Sequence, residues 1–129
     1  MKDEVRFALK KLGQAVKRLQ EVLRHRKSDI VRDAAIQRFE FTFELLWKTL
    51  KLLLESKGVL THTPKDSLQE AFRLGWLRDE AVFLKMLEAR NKMSHMYDEQ
   101  EARQIYKQIS KHFIKPIQSL LVELEERRP

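Results

Sequence analysis

A chain of 129 residues, 43% hydrophobic and 35% charged, has room for one core and a well-solvated surface but little for a second domain. Three glycines and three prolines are too few for a fold rich in turns or strands, and the absence of cysteine excludes disulfides and thiolate metal sites. With a net charge of +7, no run of eighteen apolar residues and no signal-peptide pattern, the chain reads as soluble and cytoplasmic, without a membrane span.

The first predicted helix covers about residues 3–27. Val5, Leu9, Leu12, Val16, Leu19 and Leu23 alternate spacings of four and three, which makes one narrow apolar seam. Residues 1–27 also hold nine Lys and Arg against Asp3, Glu4 and Glu21, so a net +6 sits on this segment. Such a charge suits a polyanion or an acidic partner, and equally a solvated outer face. Ser28 or Asp29 is placed to cap a second helix over about residues 30–57, and so short a link predicts antiparallel neighbours. This second helix carries two apolar stripes. Ala35, Phe39, Leu46, Leu50 and Leu53 form one; Phe41, Phe43, Leu45, Leu52 and Leu54 form the other, with Trp47 nearby. A helix apolar on two sides is central to a bundle or contributes to an oligomer interface. Gly58 is a suitable terminator.

Thr63 and Pro64 have the residue types of an N-cap and first helical position. The short helix they open should bury Leu68, Ala71 and Phe72 and stop at Gly75, with Trp76 and Leu77 plugging the corner. Asp79 caps a fourth helix built on Val82, Phe83, Met86 and Leu87. The last helix opens with Asp98 and Glu101, an acidic version of the capping box. Its stripe is Ala102, Ile105, Ile109, Phe113, Ile117, Leu120 and Leu124. Pro116 has no N–H to give residue 112, so a kink is expected over residues 112–115. No strand pattern occurs. The prediction is an all-α, up-and-down bundle of four to five helices, with residues 1–129 as a single domain.

The stretch that invites a functional reading is Arg90-Asn91-Lys92-Met93-Ser94-His95-Met96-Tyr97, at the end of the fourth helix. A helix continued through His95 would put Asn91 and His95 on one face and Arg90 and Ser94 on the adjacent row. That places the cluster on or beside the side buried by Val82, Phe83, Met86 and Leu87. Burying a guanidinium, an amide and an imidazole without partners is costly, which favours a site over packing. Spacing alone leaves a plainer alternative open, in which Arg90 pairs with a carboxylate and His95 caps carbonyls at the helix end. His25, His62, His95 and His112 lack the spacing of a metal pair, so neither metal nor cofactor is expected. Trp47 and Trp76 read as core residues rather than base-stacking platforms, His62 as a loop residue, and His112 as a partner for a carbonyl released by Pro116.

The string Arg90 to Tyr97 resembles the Arg-x4-His-x-Tyr motif of the HEPN superfamily of small helical domains. The resemblance extends to Phe43-Glu44-Leu45-Leu46-Trp47-Lys48-Thr49-Leu50-Lys51, and to the Thr-Pro-led short helix with Ala71-Phe72 and Gly75. Together these are similar to the branch of nucleotidyltransferase substrate-binding proteins related to the HepT toxins, intact at every matched position. The resemblance implies a homodimer with two Arg-x4-His motifs facing each other, and metal-independent RNA cleavage. It also implies pairing with a separate minimal nucleotidyltransferase, in a toxin–antitoxin-like system where that partner can attach AMP to the motif tyrosine, here Tyr97.

These residue types suit that chemistry. Metal-free RNA cleavage needs a base for the 2′-hydroxyl proton, an acid for the leaving 5′-oxygen and a cation for the phosphate. An imidazole, with an ordinary pKa of about 6.5, serves either proton role. The Arg90 fork clamps phosphate better than a lysine would. Arg90 and His95 are therefore the expected catalytic pair, with Asn91 and Tyr97 as substrate-binding residues and Ser94 as a cap or packing residue. The alternative expectation is a non-catalytic subunit that binds a nucleotide or presents substrate to the nucleotidyltransferase. A plain dimeric scaffold needs neither activity.

Overall fold

In the computed structural model, which describes residues 2–95 and 98–128, the backbone is helical with short links and no strand among the described residues. α1 (Lys2–Leu23) buries Val5, Leu9, Leu12, Val16 and Leu19, the seam their spacing predicts, and adds Ala15 and Val22. It ends at Leu23 rather than near Lys27. Arg24, His25, Arg26 and Lys27 are all exposed and supply no apolar side chain to hold another turn against the core.

α2 (Asp29–Ser56) starts on Ser28, whose Oγ accepts from the Val31 N–H at 3.1 Å. Its direction against α1 is antiparallel: Arg38 donates to the Arg18 carbonyl at 2.7 Å, and Thr42 Oγ1 reaches the Ala15 carbonyl at 3.4 Å. Thr42 and Thr49 are buried and satisfy their hydroxyls on the carbonyls of Arg38 and Leu45, each at 2.6 Å. Gly58, with φ of 83°, ends the helix as expected: its N–H bonds Glu55 O, and the Val59 N–H reaches back to Leu54 O at 2.9 Å.

α3 (Pro64–Arg73) is capped by Thr63, which accepts from the Asp66 N–H at 3.1 Å, and Gly75 (φ 82°) closes it. Leu68 and Ala71 are buried as predicted, but Phe72 is 43% exposed. The face that packs on α2 runs through Ser67, Leu68 and Ala71, and Phe72 lies one step round the helix from it. Ser67 is buried because its hydroxyl pairs with Thr61 Oγ1 at 2.8 Å. Trp76 and Leu77 fill the corner, each 4% exposed. α4 (Glu80–Met93) begins on Asp79 and buries Phe83, Met86 and Ala89.

α5 (Glu99–Gln108) begins on Asp98, whose carboxylate accepts from the Glu101 N–H at 2.7 Å. It runs through a π turn (Ile109–Phe113) into α6 (Ile114–Glu126). The π turn overlaps the start of the 112–115 stretch where Pro116 leads one to expect a kink. With no N–H for the His112 carbonyl and a ring crowding that turn, the helix widens so that Ile114 N–H bonds Ile109 O. The widening leaves Ile109 and Phe113 facing inward, with Phe113 stacked on Phe39 at 5.4 Å between centroids. Taking α5, the π turn and α6 as one rod, the described residues form a five-helix bundle.

α2 is the central rod. It packs against α1, α3, α4, α5 and the π turn, and these neighbours cover the first of its apolar stripes and all of the second except Phe41, which is half-buried and faces a groove. Phe39, Phe43, Leu46, Leu50, Leu53 and Leu54 are fully buried, and Leu45, Trp47 and Leu52 pack half-buried around them. Burial of each such side chain contributes about 1.5–3 kcal/mol, which is why so charged a chain still holds one contiguous core.

Candidate functional site at the end of helix α4

α4 stops two residues short of the histidine. Met93 is its last residue, Ser94 is the C-cap, and the His95 N–H closes a turn onto the Lys92 carbonyl at 2.9 Å. Asn91 and His95 therefore do not share a continuous helical face. Nor does the cluster face the core: Asn91, Lys92, Ser94 and His95 are exposed, and Arg90 is half-buried. The buried stripe of α4 ends at Ala89, and the polar residues that follow leave the bundle surface instead of entering it. Water solvates them, so the burial cost expected from the sequence does not arise.

Arg90 is the anchored member of the group. Its Nη2 forms an ion pair with Glu44 Oε1 of α2, both side chains being about 30% exposed. Its Nη1 donates to Asn91 Oδ1 at 3.1 Å. Glu44 is itself oriented by Trp47, whose indole N–H donates to Oε2 at 3.1 Å. The chain Trp47–Glu44–Arg90–Asn91 thus fixes the guanidinium across two helices and leaves part of its fork open to solvent. The carboxylate partner of the plainer alternative is realised as Glu44. The other half of that alternative is absent: among the described residues, no hydrogen bond or ion pair links the His95 imidazole to another group. Ser94 Oγ only reaches the Asn91 carbonyl at 3.5 Å, the behaviour of a cap. Tyr97 lies outside the described residues.

The end of α4 separates two hollows. On the α2 side, a shallow groove of about 450 Å³ is lined by Gln37, Glu40, Phe41, Glu44 and Arg90, with Arg18 of α1 lying 5.4 Å over the Phe41 ring. On the α5 side, a hollow of about 480 Å³ is lined by Lys92, Glu101, Gln104, Ile105, Lys107, Gln108 and His112. A larger hollow of about 720 Å³, between the Trp76 corner and α6, includes none of the motif residues.

Two features escaped the sequence reading. Glu44 belonged to a recognised segment, but its pairing with Arg90 depends on how α2 and α4 cross, which no spacing in either helix specifies. Arg32 is the second. It is only 8% exposed and binds Asp33 at 3.1 Å, Asp29 at 3.3 Å and Glu99 at 3.4 Å, tying the start of α2 to the start of α5. The Asp33 hydrogen bond, prevailing over burial and joined by Glu99, holds its guanidinium protonated even more firmly than usual. Its role is to anchor the helix that begins just after the motif. The signal was present in the sequence, since Asp29, Arg32 and Asp33 share one helix turn, but Glu99 is distant in sequence.

Residues 3–126 match the family described as nucleotidyltransferase substrate binding protein like. The chain is 36% identical over 98 residues to the Haemophilus influenzae (strain Rd) protein named "Probable ribonuclease HepT". That match covers 72% of this chain and 66% of the relative, so the chain spans just under two thirds of the relative's length. A crystal structure of a Thermus thermophilus protein superposes with a TM-score of 0.81 at 34% identity, covering 88% of this chain and 98% of that one. The Haemophilus influenzae protein HI0074 is described as revealing the fold of a substrate binding domain of a nucleotidyltransferase. It superposes with a TM-score of 0.66 at 29% identity, covering 97% of this chain and 99% of its own. The chain belongs to the nucleotidyltransferase substrate binding protein-like, HepT-related family.

Proposed function

We propose that this chain is a HEPN-type subunit that pairs with a separate minimal nucleotidyltransferase and cleaves RNA without a metal ion. Arg90 and His95 carry the reaction, in a homodimer that brings two motifs together. The observation that supports this reading most directly is the arrangement at the end of α4. A guanidinium is held in place by Glu44 and Asn91, and a solvent-facing imidazole follows five residues later.

In the reaction, the imidazole of one His95 takes the proton of the ribose 2′-hydroxyl. The 2′-oxygen forms a bond to phosphorus, and the bond from phosphorus to the 5′-oxygen breaks. The partner's His95, as imidazolium, gives its proton to that leaving oxygen, so the products are a 2′,3′-cyclic phosphate and a 5′-hydroxyl. Arg90 stabilises the charge on the non-bridging oxygens through its planar fork, and Asn91 holds substrate while fixing the Arg90 rotamer. Tyr97 contacts phosphate, and its hydroxyl is the point at which the partner attaches AMP. In that step the phenol oxygen bonds to the α-phosphorus of ATP and pyrophosphate leaves.

End-group analysis tests the mechanism. A 2′,3′-cyclic phosphate that disappears with His95→Ala supports it; a 3′-hydroxyl with a 5′-phosphate would sink it.

The second reading is a non-catalytic subunit that binds a nucleotide or presents substrate to the nucleotidyltransferase. The open hollows on both sides of α4 and the description given to HI0074 favour it. It predicts stabilisation by nucleotide with no turnover, about 2.7 kcal/mol at a ligand concentration of one hundred Kd.

A further inference from the structure

The cationic flank of α4 is not used by the chemistry above. Arg90 and Lys92 lie about 200° apart around the helix, so they leave its end on opposite sides. Arg90 goes to Glu44 of α2. Lys92 goes to the α5 side, where it lines a hollow with Lys107, His112, Gln104, Gln108 and Glu101 over an Ile105 floor. The elements that build this hollow are independent: Lys92 comes from the last turn of α4, Lys107 from the last turn of α5, and His112 from the π turn. The widened turn stands between α5 and α6 and carries His112 in the wall of a hollow shared with the motif helix. Expected from the sequence to serve a released carbonyl, His112 is instead an exposed side chain there.

We infer that this hollow is a second phosphate-binding subsite, in which Lys92, Lys107 and His112 hold a phosphate of the polynucleotide or nucleotide whose scissile or reacting phosphate lies at Arg90. The inference rests on the reading of the motif as a phosphate-handling site. Two ammonium groups and an imidazole surround the space, and the carboxamides of Gln104 and Gln108 add neutral N–H donors. Among the described lining residues one carboxylate, Glu101, opposes them. On the α2 side the groove holds two carboxylates, Glu40 and Glu44, beside one lining guanidinium. With Arg18 lying over Phe41 the charges of that groove balance, whereas the α5 hollow keeps a cationic excess, so an anionic strand leaving Arg90 is drawn to the α5 side. Lys92, two residues from Arg90 and three from His95, belongs to both the motif and the hollow, which makes the two sites contiguous.

The test uses the full chain carrying His95→Ala, so that RNA is bound without being cut. Binding of a labelled single-stranded oligoribonucleotide, and separately of ATP, is followed by fluorescence anisotropy and by calorimetry in a salt series. Lys107→Gln with His112→Gln is compared with the control pair Lys57→Gln with Lys65→Gln, both exposed, the first at the C-terminal end of α2 and the second in α3. The hollow predicts about tenfold weaker binding for the first pair, with the slope of log K against log salt reduced by about 0.7 for each phosphate no longer neutralised. Weakened binding of the oligoribonucleotide alone assigns the subsite to an RNA strand, and weakened binding of ATP as well assigns it to a nucleotide phosphate. Equal effects of the two pairs, or no binding of either probe by the parent, would overturn the inference and leave the hollow to an acidic protein surface. The cleavage chemistry is judged separately: with His95 restored, the control pair Lys57→Gln with Lys65→Gln leaves the single-turnover rate unchanged, and the loss of cleavage in His95→Ala reads the chemistry independently of the hollow.

Discussion

The two flanks of α4 are built from the same helix end and differ in what their neighbours supply. Toward α2, Arg90 meets Glu44, which Trp47 has already oriented, and the cation is positioned while part of its charge is neutralised. Toward α5, Lys92 shares a hollow with Lys107 and His112, with Glu101 in opposition among the described residues. One flank fixes geometry and the other retains field. The proposed function, orienting a phosphate and attracting a polyanion, would draw on both properties, which are divided between two neighbouring helices.

Substitutions can break that division or sharpen it. The largest effect is expected at the reacting groups. His95→Ala should lower RNA cleavage by about 10²–10⁴-fold while the melting temperature stays close to the parent's, because His95 is exposed. A rate within about threefold of the parent's would remove His95 from the chemistry. Arg90→Lys keeps the charge but loses the fork, and a fall of about 10²-fold in single-turnover rate is expected. Next in size is a stability effect. Phe113→Ala removes the ring stacked on Phe39 and should cost about 3–5 kcal/mol in urea unfolding, loosening the π turn that carries His112. Asp98→Ala removes the α5 cap and should cost about 1 kcal/mol. The smallest effect is expected on the α2 flank. Glu40→Gln removes a carboxylate beside Arg90 without touching its ion pair, and should tighten oligoribonucleotide binding about two- to threefold at low salt. Weaker binding on that substitution would mean that the groove, and not the α5 hollow, receives the strand.

Periodicity made most of the bundle legible. The seam of α1, the caps at Ser28, Thr63, Asp79 and Asp98, and the glycine stops at Gly58 and Gly75 are local devices, and each stands where its residue type predicts. Pro116 announced a disturbance, though not that the helix would absorb it as a π turn beginning at Ile109. What local pattern could not supply was the partner of each functional side chain. Glu44 for Arg90 and Glu99 for Arg32 are set by helix crossings over long sequence separations. The exposure of the motif is hidden from spacing for a related reason. Apolar spacing from Val82 to Leu87 shows where α4 faces, but not that the helix ends at Met93 and that the polar residues beyond Ala89 meet solvent.

The most direct measurement is cleavage of end-labelled single-stranded RNA in EDTA by the purified parent, by His95→Ala and by Arg90→Ala, with intact mass recorded on each sample. The proposed chemistry predicts cleavage by the parent and its loss in both variants. It also predicts that any parent preparation lacking activity carries the added mass of AMP. An unmodified parent that leaves RNA intact, or a His95→Ala variant that cuts as the parent does, would contradict it.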